Sequence, residues 1–120
     1  MIQLNSYLTV ADNSGAKIVK CIKTLKGTKV GHIGDKIIVA VQKALPNRKI
    51  KAGEVSESLI IRVKKEFKRK DGSTLSFSEN SVIMLNKKNM PQGSRIFGPV
   101  PKELRNKKNM KIVSIAQGII

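Results

Sequence analysis

The chain has 120 residues, 24 of them Lys or Arg and 8 Asp or Glu, so its formal net charge is +16. That length allows one compact domain, a hydrophobic fraction of 40% suffices for a core, and such self-repulsion predicts a polyanionic partner. No apolar run approaches the roughly 18 residues of a membrane span, the lone Cys21 excludes a disulfide scaffold, and the first ten residues carry no charge, so no signal or transit peptide is expected.

In chain order, Tyr7 to Val10 reads as a short strand ended by the turn residues Ala11-Asp12-Asn13-Ser14-Gly15. The lysines at 17, 20 and 23 would tolerate a helix, but the β-branching of Ile18, Val19, Ile22 and Thr24 favours a strand from Lys17 to Leu25. Gly27, Gly31 and Gly34 then interrupt regular structure. Lys36 to Val41 is an apolar run of strand length, consistent with a strand covered on both faces. Pro46 to Gly53 is predicted to be a basic loop carrying Arg48, Lys49 and Lys51. Leu59 to Phe67 is predicted as a strand that alternates from Ile61 on. Ile61, Val63 and Phe67 face a core; Arg62, Lys64 and Glu66 face water.

Asp71-Gly72 marks a hairpin. A two-residue turn there would pair Lys68 with Leu75 and split the apolar residues between the two faces. A three-residue loop, Lys70-Asp71-Gly72, pairs Phe67 with Leu75 and puts Gly72 at the left-handed position, so that loop is predicted. It presents Lys68, Arg69 and Lys70 on a projecting tip. Ser81 to Leu85 is a further apolar strand, after which Pro91, Gly93, Gly98, Pro99 and Pro101 oppose regular structure. Arg95-Ile96-Phe97 reads as a short extended segment, and Pro101 suits the first position of a two-turn helix over Lys102 to Lys108. Met110 to Ala116 is expected to dock on the barrel. Five or six short strands with Gly-rich turns and a small helical appendix predict a mainly β fold built on a compact barrel. A single domain over 1–120 is expected, with the barrel over about 1–86 and the appendix over about 87–120.

The charge is spread along the chain: residues 1–60 hold 10 basic and 4 acidic groups, residues 61–120 hold 14 and 4. Two clusters stand out, Lys64, Lys65, Lys68, Arg69 and Lys70, then Lys102, Arg105, Lys107, Lys108 and Lys111. Tyr7, Phe67, Phe77 and Phe97 are the only aromatic residues, and most are expected in the core. That argues against the stacking platforms of single-strand binders and for phosphate contact with structured RNA, with an affinity that falls steeply with salt. No catalytic constellation is present. His32 reads as a solvated turn residue, Cys21 as a buried structural thiol and Asp12 as a turn former. No His/Cys pair has zinc-ligand spacing. Gly31-His32-Ile33-Gly34-Asp35 lacks the Gly-Lys-Ser/Thr ending of a phosphate loop. No enzyme activity, cofactor or metal is expected. Nineteen Lys against 5 Arg, with 15 Ile and 8 Asn, follow A- and T-rich codons and suggest an organelle or a low-GC bacterium. A single unpaired Cys suits a reducing compartment.

Three separated motifs resemble those of the universal large-subunit ribosomal protein fourteen (L-fourteen) family, in its bacterial and organellar form. The first is Met1-Ile2-Gln3 with Val10 to Ala16 and Cys21-Ile22-Lys23. The second is Leu59-Ile60-Ile61, Asp71-Gly72, Phe77 and Asn80. The third is Arg95-Ile96-Phe97-Gly98-Pro99-Val100 with Glu103-Leu104-Arg105 and Met110-Lys111-Ile112. Ser58 stands where the family signature has Gly or Ala, and Ile83-Met84 where it has Val and an aliphatic residue. The Gly27 to Asp35 loop is slightly shorter than in typical bacterial members and lacks their Arg- and Tyr-rich tip. Pro101 resembles mitochondrial members, which favours a mitochondrially encoded protein, with the bacterial cytoplasm as the alternative. At 120 residues the chain has the length expected of a whole member.

The resemblance implies a five-stranded β-barrel with a carboxy-terminal loop bearing small helices. It also implies a structural, non-catalytic role: binding to large-subunit rRNA, bridges to small-subunit rRNA, packing against ribosomal proteins L-nineteen and L-three, and a dock for a ribosome-silencing factor. The first rRNA-binding candidates are Arg62, Lys64, Lys65, Lys68, Arg69 and Lys70. Arg48, Lys49 and Lys51 are candidates for a second loop contact, and Asn13, Ser14, Lys17 and Arg95 are further candidates. Lys102, Arg105, Lys107 and Lys108 are assigned to an rRNA or subunit-interface surface. A free single-domain RNA-binding regulator or chaperone is the alternative reading.

Overall fold

The computed structural model describes residues 2–25, 30–48, 50–105 and 110–120. Strands β1 (Ile2–Gln3) and β2 (Tyr7–Val10) are followed by β3 (Ala16–Thr24), β4 (Val30–Gly31) and β5 (Lys36–Ala44). Next come β6 (Val55–Arg62), the hairpin strands β7 (Phe67–Lys68) and β8 (Thr74–Leu75), and β9 (Ser81–Met84). Strand β10 (Ile96–Val100), a 3-10 helix (Lys102–Leu104), helix α1 (Met110–Ser114) and β11 (Ala116–Ile119) complete the chain. Strands β2, β3, β5, β6 and β9 close in that order into a barrel, the mainly β fold that the sequence predicts. Its closing seam is parallel, with Thr9 opposite Ser81 and Val10 opposite Val82, and the two hydroxyls of Thr9 and Ser81 lie 3.0 Å apart.

Period-two alternation fills the barrel. Val19 and Cys21 of β3, Ile37, Val39 and Val41 of β5, Ile60 of β6, and Val82 and Met84 of β9 form one buried cluster. A second cluster lies on the outside of the same wall. There Leu59, Ile61, Ile83 and Leu85 meet Ile96, Val100, Leu104 and Ile112 from the carboxy-terminal segment. The strands covered on both faces are therefore β6 and β9, where Ser58 to Ile61 and Ser81 to Met84 are all buried. From sequence that role falls to Lys36–Val41, but Ile38 and Ala40 are only half-buried.

The strand predicted over Leu59–Phe67 starts earlier, at Val55, and stops at Arg62. The pairing of β6 with β9 slips between Ile60, opposite Val82, and Arg62, opposite Ser81. Such a bulge inserts one residue and changes the side-chain phase. Ile61 therefore packs outside with Leu59, while Val63 and Phe67 return to the cluster that holds Ile60. The expected single dry face of Ile61, Val63 and Phe67 is thus corrected. The hairpin has the predicted form: Phe67 pairs with Leu75 and Lys68 with Thr74, and Gly72 has φ +92°. Arg69 N–H donates to Ser73 O at 2.8 Å, which leaves Lys70-Asp71-Gly72 as the loop.

Three further expectations change. Gly31 is a strand residue paired with Ile2, and a Cβ there would come within 2.8 Å of Ile60 Cδ1; its role is close approach to the core. Gly27 lies outside the described residues. Gly98 and Pro99 belong to β10, which runs parallel to β11 with an irregularity between Ile96 and Pro99 that accommodates the missing proline N–H. Pro101 precedes a single 3-10 turn with φ −74° and ψ 150°, so it caps that turn from outside it.

Ile60 and Ile61 sit in different clusters, so their truncations are expected to differ in kind. Each Ile→Ala change should cost about 2–5 kcal/mol in denaturant unfolding. Only Ile61→Ala should also speed limited proteolysis within 96–120 under native conditions, because it removes the surface on which that segment rests. Equal protection of the segment in both variants would contradict the two-cluster description.

Candidate nucleic-acid interface

The hairpin and the 3-10 helix come from separate basic runs of the sequence, and the fold sets them side by side. Phe67 to Asp71, Lys102, Glu103 and Arg105 line one open basin of about 620 Å³. Five cations face two carboxylates there. Arg69 is the hinge of the arrangement. Its Nε lies 2.7 Å from Glu103 Oε1, and its Nη2 donates to the main-chain oxygen of Ile120 at 2.6 Å. Its side chain is only 11% exposed. The tip thus presents Lys68 and Lys70, both exposed, whereas Arg69, expected beside them, is turned inward to tie the hairpin to the chain's last residues. Lys102 Nζ stands 4.0 Å from Asp71 Oδ2, a solvated pair of little energetic weight. Among the described residues, Lys68, Lys70 and Arg105 carry no ion pair.

Arg62 is a second inward arginine. It is half-buried, and its Nη2 donates to Phe97 O at 3.1 Å. Burial pushes its pKa down and Glu79 pulls it partly back. A Cβ at Gly98, where φ is +80°, would collide with this guanidinium, so the glycine and the arginine fit each other. The wet-face cation expected at Arg62 is thus a strut between β6 and β10.

Asn13 and Ser14, expected to offer polar groups to phosphate or sugar, are engaged within the fold. Asn13 Oδ1 accepts from Ser94 N–H at 2.9 Å, and its Nδ2 donates to Ser94 Oγ at 3.0 Å. Ser14 Oγ–H donates to Asp12 Oδ1 at 2.6 Å. Asp12 is buried, and its Oδ2 accepts from Met84 N–H at 3.0 Å, which pins the turn to the barrel. Lys17, Arg48, Lys51, Lys64, Lys65 and Arg95 are exposed. Lys49, Lys107 and Lys108 lie outside the described residues.

Sequence reasoning passed over Lys87 and Lys88. They are exposed in a turn that Asn86 organises by accepting from Lys88 N–H at 2.9 Å and from Met90 N–H at 3.1 Å. The signal was Asn86 followed by a left-handed Asn89, with φ +62°, around two lysines. The aromatic residues were also misplaced: none of the four is buried. Tyr7 is 62% exposed and Phe97 45%.

His32 is exposed in a turn, where its N–H donates to Asp35 Oδ2 at 2.9 Å. Cys21 is buried in the barrel, and burial pushes its thiol pKa up, away from a reactive thiolate. Fold and surface together define a small, strongly basic β-barrel with exposed cations on strands β3 and β5, on loops, on the hairpin and on the carboxy-terminal flank. The family described as Ribosomal protein L14p/L23e matches residues 1–120. The chain belongs to that family, and as such is a structural protein of the large ribosomal subunit; the family is not one of enzymes.

Asp12 offers a pH test of the turn that carries Asn13 and Ser14. Burial holds its pKa above the ordinary carboxylate value, against the pull of its hydrogen bonds. The folded state therefore binds this proton more tightly than the unfolded chain does. Stability from the group is present below the ordinary carboxylate pKa and is lost as pH rises through the raised value. The Tm advantage of wild type over Asp12→Asn should accordingly shrink from acid towards neutral pH. An advantage that grows with pH would reverse the assignment.

Proposed function

We propose that this chain binds large-subunit rRNA through its hairpin flank and fixes the orientation of adjacent rRNA helices. The observation that carries the reading is the convergence of two basic runs on one basin, where Lys68, Lys70, Lys102 and Arg105 surround a strut of opposite charges. Flexible lysines at the rim suit closely spaced phosphates, and RNA's narrow deep groove favours recognition by shape and backbone. Lys64 and Lys65 extend the same flank, and Arg48, Lys51 and Lys17 supply a separate contact. Family membership supports the remaining parts of the reading: a place at the subunit interface with a bridge to small-subunit rRNA, L-nineteen and L-three as neighbours, and a dock for a silencing factor. The lysine- and isoleucine-rich composition supports a mitochondrial ribosome, with a bacterial one as the alternative.

Replacing Lys68, Lys70 and Arg105 together by Gln tests the basin without touching Arg69. Binding to purified large-subunit rRNA should weaken, and the slope of log K against log salt should fall by about 2–3. In sedimentation at moderate salt the variant should leave the large-subunit peak while wild type stays. An unchanged slope and unchanged comigration would remove the basin from the interface.

A further inference from the structure

The scarcity of aromatic residues argues from sequence against base stacking, on the premise that the core consumes most of them. In the fold the core does not. Phe67 and Phe77 are half-buried, and Tyr7 has Lys20 Nζ 5.7 Å from its ring centroid, so one face of that ring is attended by the chain's own cation. Phe97 is different. It lines a groove of about 370 Å³ with Val10, Leu45, Lys17 and Arg48 and with the turn residues Asp12 and Asn13, on the far side of β10 from the buried Ile96.

The groove is held rigid from three directions. Phe97 N–H donates to Ala11 O at 2.6 Å, and Phe97 O accepts from Arg62, so the backbone beneath the ring is bonded on both sides. Leu45 N–H donates to Gly15 O at 2.7 Å, which joins the end of β5 to the 11–15 turn. A Cβ at Gly15 would collide with the Arg48 side chain, so this glycine, at φ +111°, is what lets Arg48 lie across the turn at the groove. Leu45 is itself 38% exposed. The result is a mostly apolar groove with one aromatic residue and two cations, whose one carboxylate, Asp12, is buried and engaged by Ser14 and Met84, on a protein of charge +16.

We propose that this groove receives one unstacked nucleotide of the bound RNA, its base on the Phe97 ring and the Leu45 side chain and its phosphate at Arg48 and Lys17. An aromatic face beside cations is the chemistry by which proteins hold splayed bases, and every base offers a π-face to it. Charge complementarity selects RNA over an apolar protein segment as the occupant. This proposal rests on the rRNA-binding reading and adds a stacking contact that is independent of the hairpin basin.

The test uses the full chain and protein-free large-subunit rRNA. Phe97→Ala and Phe97→Leu should each weaken binding by about 5- to 150-fold, with the salt slope unchanged, whereas Phe97→Tyr should bind as wild type. Arg48→Gln should instead lower the slope by about 1. Ultraviolet crosslinking of wild type should place a nucleotide adduct on the tryptic peptide 96–102. Circular dichroism and Tm of each variant separate misfolding from lost contact. Full affinity in a folded Phe97→Leu, or adducts confined to other peptides while wild type binds rRNA, would overturn the stacking site and leave the rRNA reading standing. So would crosslinks in intact subunits that join Phe97 to a ribosomal protein. Failure of wild type to bind rRNA at all would overturn both.

Discussion

Strand β6 must be covered on both faces, and the layout of the rest of the molecule depends on that requirement. Its inner residue Ile60 belongs to the barrel, and its outer residues Leu59 and Ile61 belong to a second cluster that the barrel alone would leave in water. Fully burying one such side chain is worth about 1.5–3 kcal/mol. Covering this wall together with Ile83 and Leu85 of β9 therefore gives the carboxy-terminal segment a strong reason to dock. Ile96, Val100, Leu104 and Ile112 meet that wall. Once they do, the 3-10 helix lies beside the hairpin and the basin exists. The placement of surface charge is thus set by the packing of an apolar wall.

The acidic residues serve the same scaffold. Asp12 holds the first turn to β9, Asp35 accepts the His32 N–H, and Asp71 closes the hairpin loop by accepting from Ser73 N–H and Oγ–H. Glu103 anchors Arg69. Each of these carboxylates works as a local structural acceptor, and Lys68 and Lys70 at the basin rim are left for a partner. A chain of charge +16 stores repulsion in its free state. A polyanion that binds the folded form relieves it, so stability and binding are linked.

Much of this was legible in the sequence. The β-branched run before Leu25 gave β3, and the demand that Phe67 and Leu75 share a face gave the hairpin register, because both rest on local chemistry and period-two arithmetic. What was not legible depends on contacts distant in the chain. The bulge after Ile60 arises from pairing with β9 some twenty residues on, and it separates Ile61 from Val63, which the sequence places on one face. Gly98 and Pro99 look like strand breakers until β11 lies alongside them. At the candidate site, the sequence did not show that Arg62, Arg69, Asn13 and Ser14 already have partners within the fold, although Asn13 itself is exposed. Composition marks a group as polar, and only the fold shows that its partner is already inside the protein.

That contrast between lysine and arginine has a physical basis. Arg62 and Arg69 each carry a planar fork, and Arg69 reaches a carboxylate and a main-chain carbonyl at once. A fork with several fixed donors suits a strut that must hold two elements in one geometry. Lysine offers a single mobile charge on a flexible stem, which suits phosphates whose spacing the protein does not dictate. The preponderance of 19 Lys over 5 Arg reads from sequence as a bias of codons. In the fold it also separates two tasks: two of the five arginines hold the appendix and the hairpin in place, and the lysines populate the surface those struts define.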